Sequence, residues 1–275
     1  MKSPDPLFVA YWLGYANQKM IIEELPSGVD VINLFVINLD PDQTLQHLYL
    51  TSNGLGWEDI LTGVRSQQKK GVRVMASIAS AIYPKICWNT IADPEKFAAE
   101  VYDLVVNDWG LDGIDIDPEM GGEVPNETFI KVVLELSKYF GPKSATRKKM
   151  SYVTYQYYVD EQLLKRCNAC FDYVSLAGYL WDMETMINQF ELYAGLVGSK
   201  KLLFGVQPGK HQLTSLTDAI QLSQWQPDNG IKGGMMIFNI NLDQDFNYTN
   251  ELIQSLKSTG IKDIEALNPS GGSSS

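Results

Sequence analysis

Apolar residues recur along this chain in short, nearly continuous runs, separated by stretches with helical spacing. Eight runs predict strands: Leu7–Trp12, Val29–Asn38, Val72–Ser77, Gly113–Asp117, Met150–Tyr155, Tyr173–Tyr179, Lys201–Val206 and Gly234–Asn239. Runs that are apolar on both faces suit parallel strands covered by helices. Ahead of the fourth run, Asp93 predicts an N-cap and Pro94 a first turn. Phe97, Val101, Leu104 and Val105 then share a face, and Gly110 is the stop. After it, a helix starts near Asn126, repeats through Phe129, Val132, Val133, Leu136 and Tyr139, and ends at Gly141. Eight such units predict an α/β chain folded as one (β/α)₈ barrel, with its chemistry at the C-terminal ends of the strands. No Pro/Gly/Ser linker divides the interior. One domain is therefore expected over residues 1–265, with a flexible tail at 266–275. About 27 residues separate the seventh and eighth runs, too few for an extra α+β insertion.

The fourth run breaks the apolar rule on one face only. In Asp112-Gly113-Ile114-Asp115-Ile116-Asp117-Pro118-Glu119, three acids occupy alternate positions, and alternation on a strand means a shared face. Successive side chains there stand roughly 6.5–7 Å apart, close enough for like charges to raise one another's pKa and keep one acid protonated. A protonated acid beside ionised ones is equipment for general acid/base chemistry. A calcium loop fits poorly, because Ile114 and Ile116 intervene and Met120 stands where an EF-hand needs Gly. A solvated acidic edge fits poorly too, since the isoleucine face calls for burial. His47 and His211 are isolated and suggest no nucleophilic triad.

Composition narrows the partners. The net charge of −11 over 275 residues disfavours nucleic acid and anionic membrane surfaces, while neutral sugars meet no such repulsion. Six Trp and 14 Tyr supply core or sugar-stacking surfaces. The three cysteines, Cys87, Cys167 and Cys170, lack the second pair a zinc site needs. Cys167-x-x-Cys170 reads as incidental, with a disulfide as the alternative. No apolar stretch reaches membrane-spanning length and residues Met1–Pro6 show no signal-peptide h-region, so a secreted or extracellular location is expected if a signal peptide has been removed, and a cytoplasmic one otherwise. The sequons at Asn126 and Asn247 have meaning only in a eukaryotic secreted protein.

The acidic strand resembles the D-G-x-D-x-D-x-E signature of glycoside hydrolase family 18, the chitinases and endo-β-N-acetylglucosaminidases, and meets all five fixed positions. Support is spread along the chain. Tyr11-Trp12 resembles the first-strand aromatic pair, Ser77-Ile78-Ala79-Ser80 a weakened S-x-G-G, Tyr179 the sixth-strand Tyr, and Gly233–Phe238 the eighth-strand G-G-x-M-x-W.

The resemblance implies retaining, substrate-assisted hydrolysis at N-acetylglucosamine. Glu119 would protonate the glycosidic oxygen, Asp117 would stabilise the 2-acetamido group as it closes to an oxazolinium ion, and Tyr179 would donate to its oxygen. Asp115 would share a proton with Asp117, Asp112 and Gly113 would serve the strand's structure, and Tyr11, Phe238 and Trp181 would contact sugar. No metal or cofactor is called for, and a monomer acting on an N-acetylglucosamine-containing oligo- or polysaccharide is expected. Departures from the pattern are Phe238 for the Trp that floors the −1 sugar, Leu180 for the Asp common in chitinases, Ala177 for their Met, and Ala79 and Ser80 for two glycines. The expected shallow groove suits chitin, slightly ahead of the N-glycan core. A non-catalytic lectin on the same barrel is the alternative from another class, and an ordinary two-carboxylate glycosidase a third.

Overall fold

A computed structural model describes residues 5–17, 19–80, 87–118, 123–209, 214–228 and 230–267. Eight parallel strands form its centre: β1 (Leu7–Leu13), β2 (Val31–Leu39), β3 (Arg73–Ala79), β4 (Gly113–Asp117), β5 (Lys149–Thr154), β6 (Tyr173–Leu176), β7 (Leu202–Val206) and β8 (Gly234–Ile237). Each pairs with the next, and β8 pairs with β1, so the sheet closes. A two-residue strand, Leu45–Gln46, adds an antiparallel pairing to the end of β2. Among the described residues, seven α-helices surround the barrel: α1 (Trp57–Lys69), α2 (Pro94–Tyr102), α3 (Glu127–Leu136), α4 (Tyr157–Cys167), α5 (Met183–Val197), α6 (Leu216–Gln224) and α7 (Asn247–Leu267).

The predicted caps are in place. Asp93 accepts from the Lys96 amide and starts α2, and Asn126 accepts from the Phe129 amide and starts α3. Past Tyr102 the chain continues through a π-helical turn, Asp103–Asp108, before Gly110 ends it at φ +61°.

The first crossover departs from the eightfold repeat. Among its described residues, the connection from β1 to β2 holds only a 3₁₀ turn, Ile22–Glu24. The turn does a helix's covering work by burying Ile22 against α1, where a Cβ at Gly63 would stand 3.1 Å from Ile22 Cβ. Gln67 of α1 donates to the Ile22 carbonyl at 2.6 Å and fixes the turn.

Side-chain alternation divides the apolar residues into two bodies. Phe8, Ala10, Trp12, Ile114, Ile116, Tyr152 and Phe204 face outward into the large strand–helix core. Val9, Tyr11, Met75, Val153, Leu203 and Met236 face inward to a smaller core. Burying an average apolar side chain contributes roughly 1.5–3 kcal/mol, so the outer body dominates stability and leaves the interior free to hold polar groups. All three cysteines are buried and free, so Cys167 and Cys170 do not form the disulfide considered as an alternative. The strand run ending at Tyr179 stops earlier than predicted, at Leu176, because the Gly178 amide turns back to the Leu176 carbonyl at 2.8 Å. The eighth likewise ends at Ile237, and the Phe238–Asn239 peptide is cis.

At the N-terminal face, one device recurs. Asp30, Asp112 and Asp172 each stand immediately before an even-numbered strand, and each carboxylate accepts an amide of the preceding odd-numbered strand. The pairs are Phe8 N to Asp30 at 2.8 Å, Val74 N to Asp112 at 3.0 Å and Met150 N to Asp172 at 3.0 Å. Asp112 also accepts from Gln68 at 2.8 Å, which ties α1 to β4. These latches fix register where the strands begin. Replacing any one with Ala is expected to cost about 1–3 kcal/mol, and Asn, whose amide oxygen can accept the same N–H, to cost less. Urea denaturation checks this; a latch whose Ala variant matches wild type is not holding register.

Candidate active site

The centre of the site follows from where β4 places its acids. Gly113 begins the strand and lies so close to β5 that a Cβ there would meet the Lys149 carbonyl oxygen at 2.2 Å. Asp115, two residues on, points into the barrel and is fully buried. Its Oδ2 accepts from the Tyr11 hydroxyl at 2.6 Å and Ser77 Oγ at 2.7 Å, and its Oδ1 accepts from Ser151 Oγ at 2.5 Å. Ser77, Asp115 and Ser151 are register partners on β3, β4 and β5, so with Tyr11 of β1 included the one carboxylate gathers hydroxyls from three other strands.

These partners are hydroxyls rather than cations. Burial therefore dominates and raises the Asp115 pKa, while the three hydrogen bonds pull it down. The Tyr11 phenol is pushed well above its ordinary value by burial first, then by the charges of Asp115 and Asp117. It stays protonated and remains a donor to Asp115.

Asp117 is the last residue of β4, one step nearer the C-terminal mouth, level with Ala79 and half-buried. Glu119 lies outside the described residues. Tyr179 stands three residues beyond β6. Its ring is parallel to Phe238, with 5.6 Å between centroids and 6° between planes. Phe238 in turn meets Tyr11 at 5.6 Å and Phe35 at 5.5 Å, both edge-on. Such offset and edge contacts are each favourable by about 0.5–1.5 kcal/mol. Tyr11, Phe35, Phe238 and Tyr179 thus form one aromatic wall at the mouth, joined to Asp115 through the Tyr11 hydroxyl.

Trp181 stands apart from that wall. It packs against the outer core and stacks on Tyr155 at 6.2 Å and 18°. Gly178 permits this fold of the chain, since a Cβ there would lie 3.0 Å from Trp181 Cε3. Asp182, next along, accepts from the Thr185 amide and caps α5. Three site residues escape the acid-centred reading. Ser151 leaves a trace as a hydroxyl at an inward position of an apolar strand, and Ser77 heads the weakened third-strand motif. Phe35 sits within a continuous apolar run and has no local signal. Among the described residues, no group of three or more His, Cys, Asp or Glu is placed to hold a metal ion.

A family model for the endo-β-N-acetylglucosaminidase EndoS TIM-barrel domain matches residues 10–237. Endo-β-N-acetylglucosaminidase F2 of Elizabethkingia meningoseptica is 30% identical over 170 residues, which is 57% of this chain and 50% of that protein. An endo-β-N-acetylglucosaminidase of Bifidobacterium longum subsp. infantis is 37% identical over 97 residues, 33% of this chain and 17% of that protein. The chain therefore spans at most about half the length of these curated relatives. Among solved structures, the Cordyceps militaris endo-β-N-acetylglucosaminidase superposes with a TM-score of 0.70 at 21% identity, covering 93% of this chain and 92% of that one. A Pseudoalteromonas aurantia family 18 chitinase gives 0.73 at 17% identity, covering 91% and 100%. At these identities the superpositions establish the shared barrel.

The raised Asp115 pKa has a definite sign in stability. Its contribution is fully present below the unfolded carboxylate value, about 3.9, and is lost as pH rises through the higher folded value. In urea titrations across pH 3 to 8, wild type is expected to lose stability relative to Asp115→Asn over that window. A constant difference between the two proteins would show that Asp115 is not the titrating group.

Proposed function

Because the chain belongs to glycoside hydrolase family 18, in the group described by the EndoS barrel, we propose that it is a retaining, substrate-assisted glycosidase. Its substrates are N-acetylglucosamine-containing glycans, and the bond cleaved is the β-1,4 linkage of the chitobiose core of N-glycans. The observation that carries this reading is the vertical order of the site: Asp117 at the strand end, Asp115 beneath it on three hydroxyls, and the Tyr11–Phe238–Tyr179 wall beside them.

In the proposed reaction, Glu119 gives its proton to the glycosidic oxygen as the bond from that oxygen to the anomeric carbon breaks. The substrate's own acetamido oxygen forms the new bond to the anomeric carbon. Asp117 accepts from the acetamido N–H and offsets the positive charge of the oxazolinium, while the Tyr179 hydroxyl donates to the acetamido oxygen. Asp115 holds Asp117 in a field set by the buried hydroxyls. Water then opens the ring, giving its proton to Glu119. Phe238 supplies the apolar floor for the reacting sugar, and its parallel stack sets the plane of Tyr179.

The N-glycan core takes first place over chitin because the family model and the two curated relatives described above are named as endo-β-N-acetylglucosaminidases. Chitin is the second reading. Residues 207–233, between β7 and β8, include only α6 as a described helix, and a groove without an insertion suits oligosaccharides of either kind.

Assays pairing a high-mannose glycoprotein with a fluorogenic chitotrioside distinguish the readings. Wild type is expected to release glycan from the glycoprotein, and Glu119→Gln to lose about 10²–10⁴ in rate while still binding sugar. Release of the fluorophore alone would assign a chitinase; sugar binding without turnover on either substrate would overturn the enzyme reading. Tyr179→Phe keeps the stacking ring and removes the hydroxyl. It is expected to lower kcat by about 10²-fold with little change in KM, and unchanged kcat would remove Tyr179 from the mechanism.

A further inference from the structure

The opposite face of the barrel holds a cavity of about 410 Å³ whose walls include Arg73, Ser144, Arg147, Lys149 and Asp172. Arg73 is the first residue of β3, Lys149 the first of β5, and Asp172 immediately precedes β6. The cavity therefore opens at the N-terminal ends of the strands, away from Asp117. Its charge runs against that of the molecule. The chain is −11 overall, yet Lys143, Arg147, Lys148 and Lys149 fall within seven residues that include no acid.

Local pairing uses part of that charge and leaves the rest. Lys149 Nζ lies 2.6 Å from Asp172 Oδ1, and the other Asp172 oxygen accepts the Met150 amide as a register latch. Lys148 is turned to the Leu111 carbonyl at 2.7 Å and to Asp112 at 3.7 Å. Among the described residues, neither Arg73 nor Arg147 forms an ion pair. The one carboxylate lining the cavity is thus already engaged, and two guanidinium groups are not.

The loop that presents Arg147 is held firmly. The Gly141 amide donates to the Lys148 carbonyl at 2.7 Å, the Ser144 amide to the Gly141 carbonyl at 3.1 Å, and the Lys148 amide to Thr146 Oγ1 at 3.1 Å. Gly141 itself, at φ +80°, admits no side chain, since a Cβ would meet the Cys170 carbonyl oxygen at 2.1 Å. Arg147 sits at φ +61°, a region that L-residues with long side chains seldom occupy. A backbone pinned in this way leaves only the side chain of Arg147 to be ordered on binding.

We propose that this cavity is a binding site for a tetrahedral oxyanion, gripped by the guanidinium groups of Arg73 and Arg147. Planar guanidinium forks match the paired oxygens of phosphate or sulfate, and the surrounding lysines add long-range attraction. The same chemistry serves a free anion and the terminal phosphate of a sugar ester. The site is independent of the glycosidase reading, because it lies on the other face and shares no residue with it. Its occupant stabilises the fold at the strand starts and leaves turnover alone.

Thermal unfolding with inorganic phosphate tests this, against sodium chloride at equal ionic strength and pH. Wild type is expected to gain about 2 °C at a phosphate concentration ten times its dissociation constant. The Arg73→Gln/Arg147→Gln double variant is expected to lose that gain. Isothermal titration of wild type with inorganic phosphate and with glucose 6-phosphate then identifies the source: comparable heats assign the free anion, and tighter binding of the ester assigns a phosphorylated sugar. No gain over chloride in wild type would overturn the proposal, as would an equal gain in the double variant, which would mark a bulk salting effect. Titration of wild type alone decides the matter if the double variant does not fold.

Discussion

A carboxylate buried without a cation is the constraint around which the interior of this barrel is arranged. Removing an ion from water is costly, and in real proteins an effective penalty of several kcal/mol persists after relaxation. Asp115 meets that penalty with three hydroxyls, drawn from β1, β3 and β5. Each must arrive at one level of the barrel, so the register of these strands and the position of the acid are a single requirement. Gly113 belongs to the same requirement, because only a residue without a Cβ lets β4 approach β5 closely enough. Ile114 and Ile116 complete it from outside, anchoring the strand in the helix layer while the acids face inward. Once Asp115 is fixed, the period of two along a strand places Asp117 on the same face and nearer the mouth.

The two ends of the barrel use carboxylates in different ways. At the strand starts, Asp30, Asp112 and Asp172 accept backbone amides and set register. At the strand ends, Asp117 lies near enough to Tyr11 and Tyr152 for its charge to help raise both phenols. Between the ends, buried polar residues, Asn33, Ser77, Asp115, Ser151 and Ser175, share the interior with the smaller apolar core. Tyr179 illustrates how the mouth is assembled. It is past the end of β6 and its ring stacks on Phe238, so a change at Phe238 also reaches the neighbouring hydroxyl.

Much of this was legible in the sequence because it rests on local rules. The eight strands follow from apolar runs, the starts of α2 and α3 from Asp93 and Asn126, and the shared face of Asp115 and Asp117 from alternation. What was not legible depends on contacts between distant segments. The latches formed by Asp30 and Asp172 look like ordinary acids ahead of a strand until the amide of the preceding odd-numbered strand is brought beside them. Phe35 is hidden in a run that is apolar throughout, and the packing of Trp181 against the helix layer and Tyr155 has no local signal. Among the described residues of the first crossover, a turn stands in place of a helix, and its support, Gln67, lies 45 residues further on.

In the proposed reaction the substrate's acetamido group, held by Asp117, is the nucleophile, so that configuration at the anomeric carbon is inverted twice. Proton NMR of the first turnovers, faster than mutarotation, reads the anomer of the released N-acetylglucosamine end directly. Initial appearance of the β-anomer is the predicted result. Initial appearance of the α-anomer would mean direct attack by water and would contradict the account.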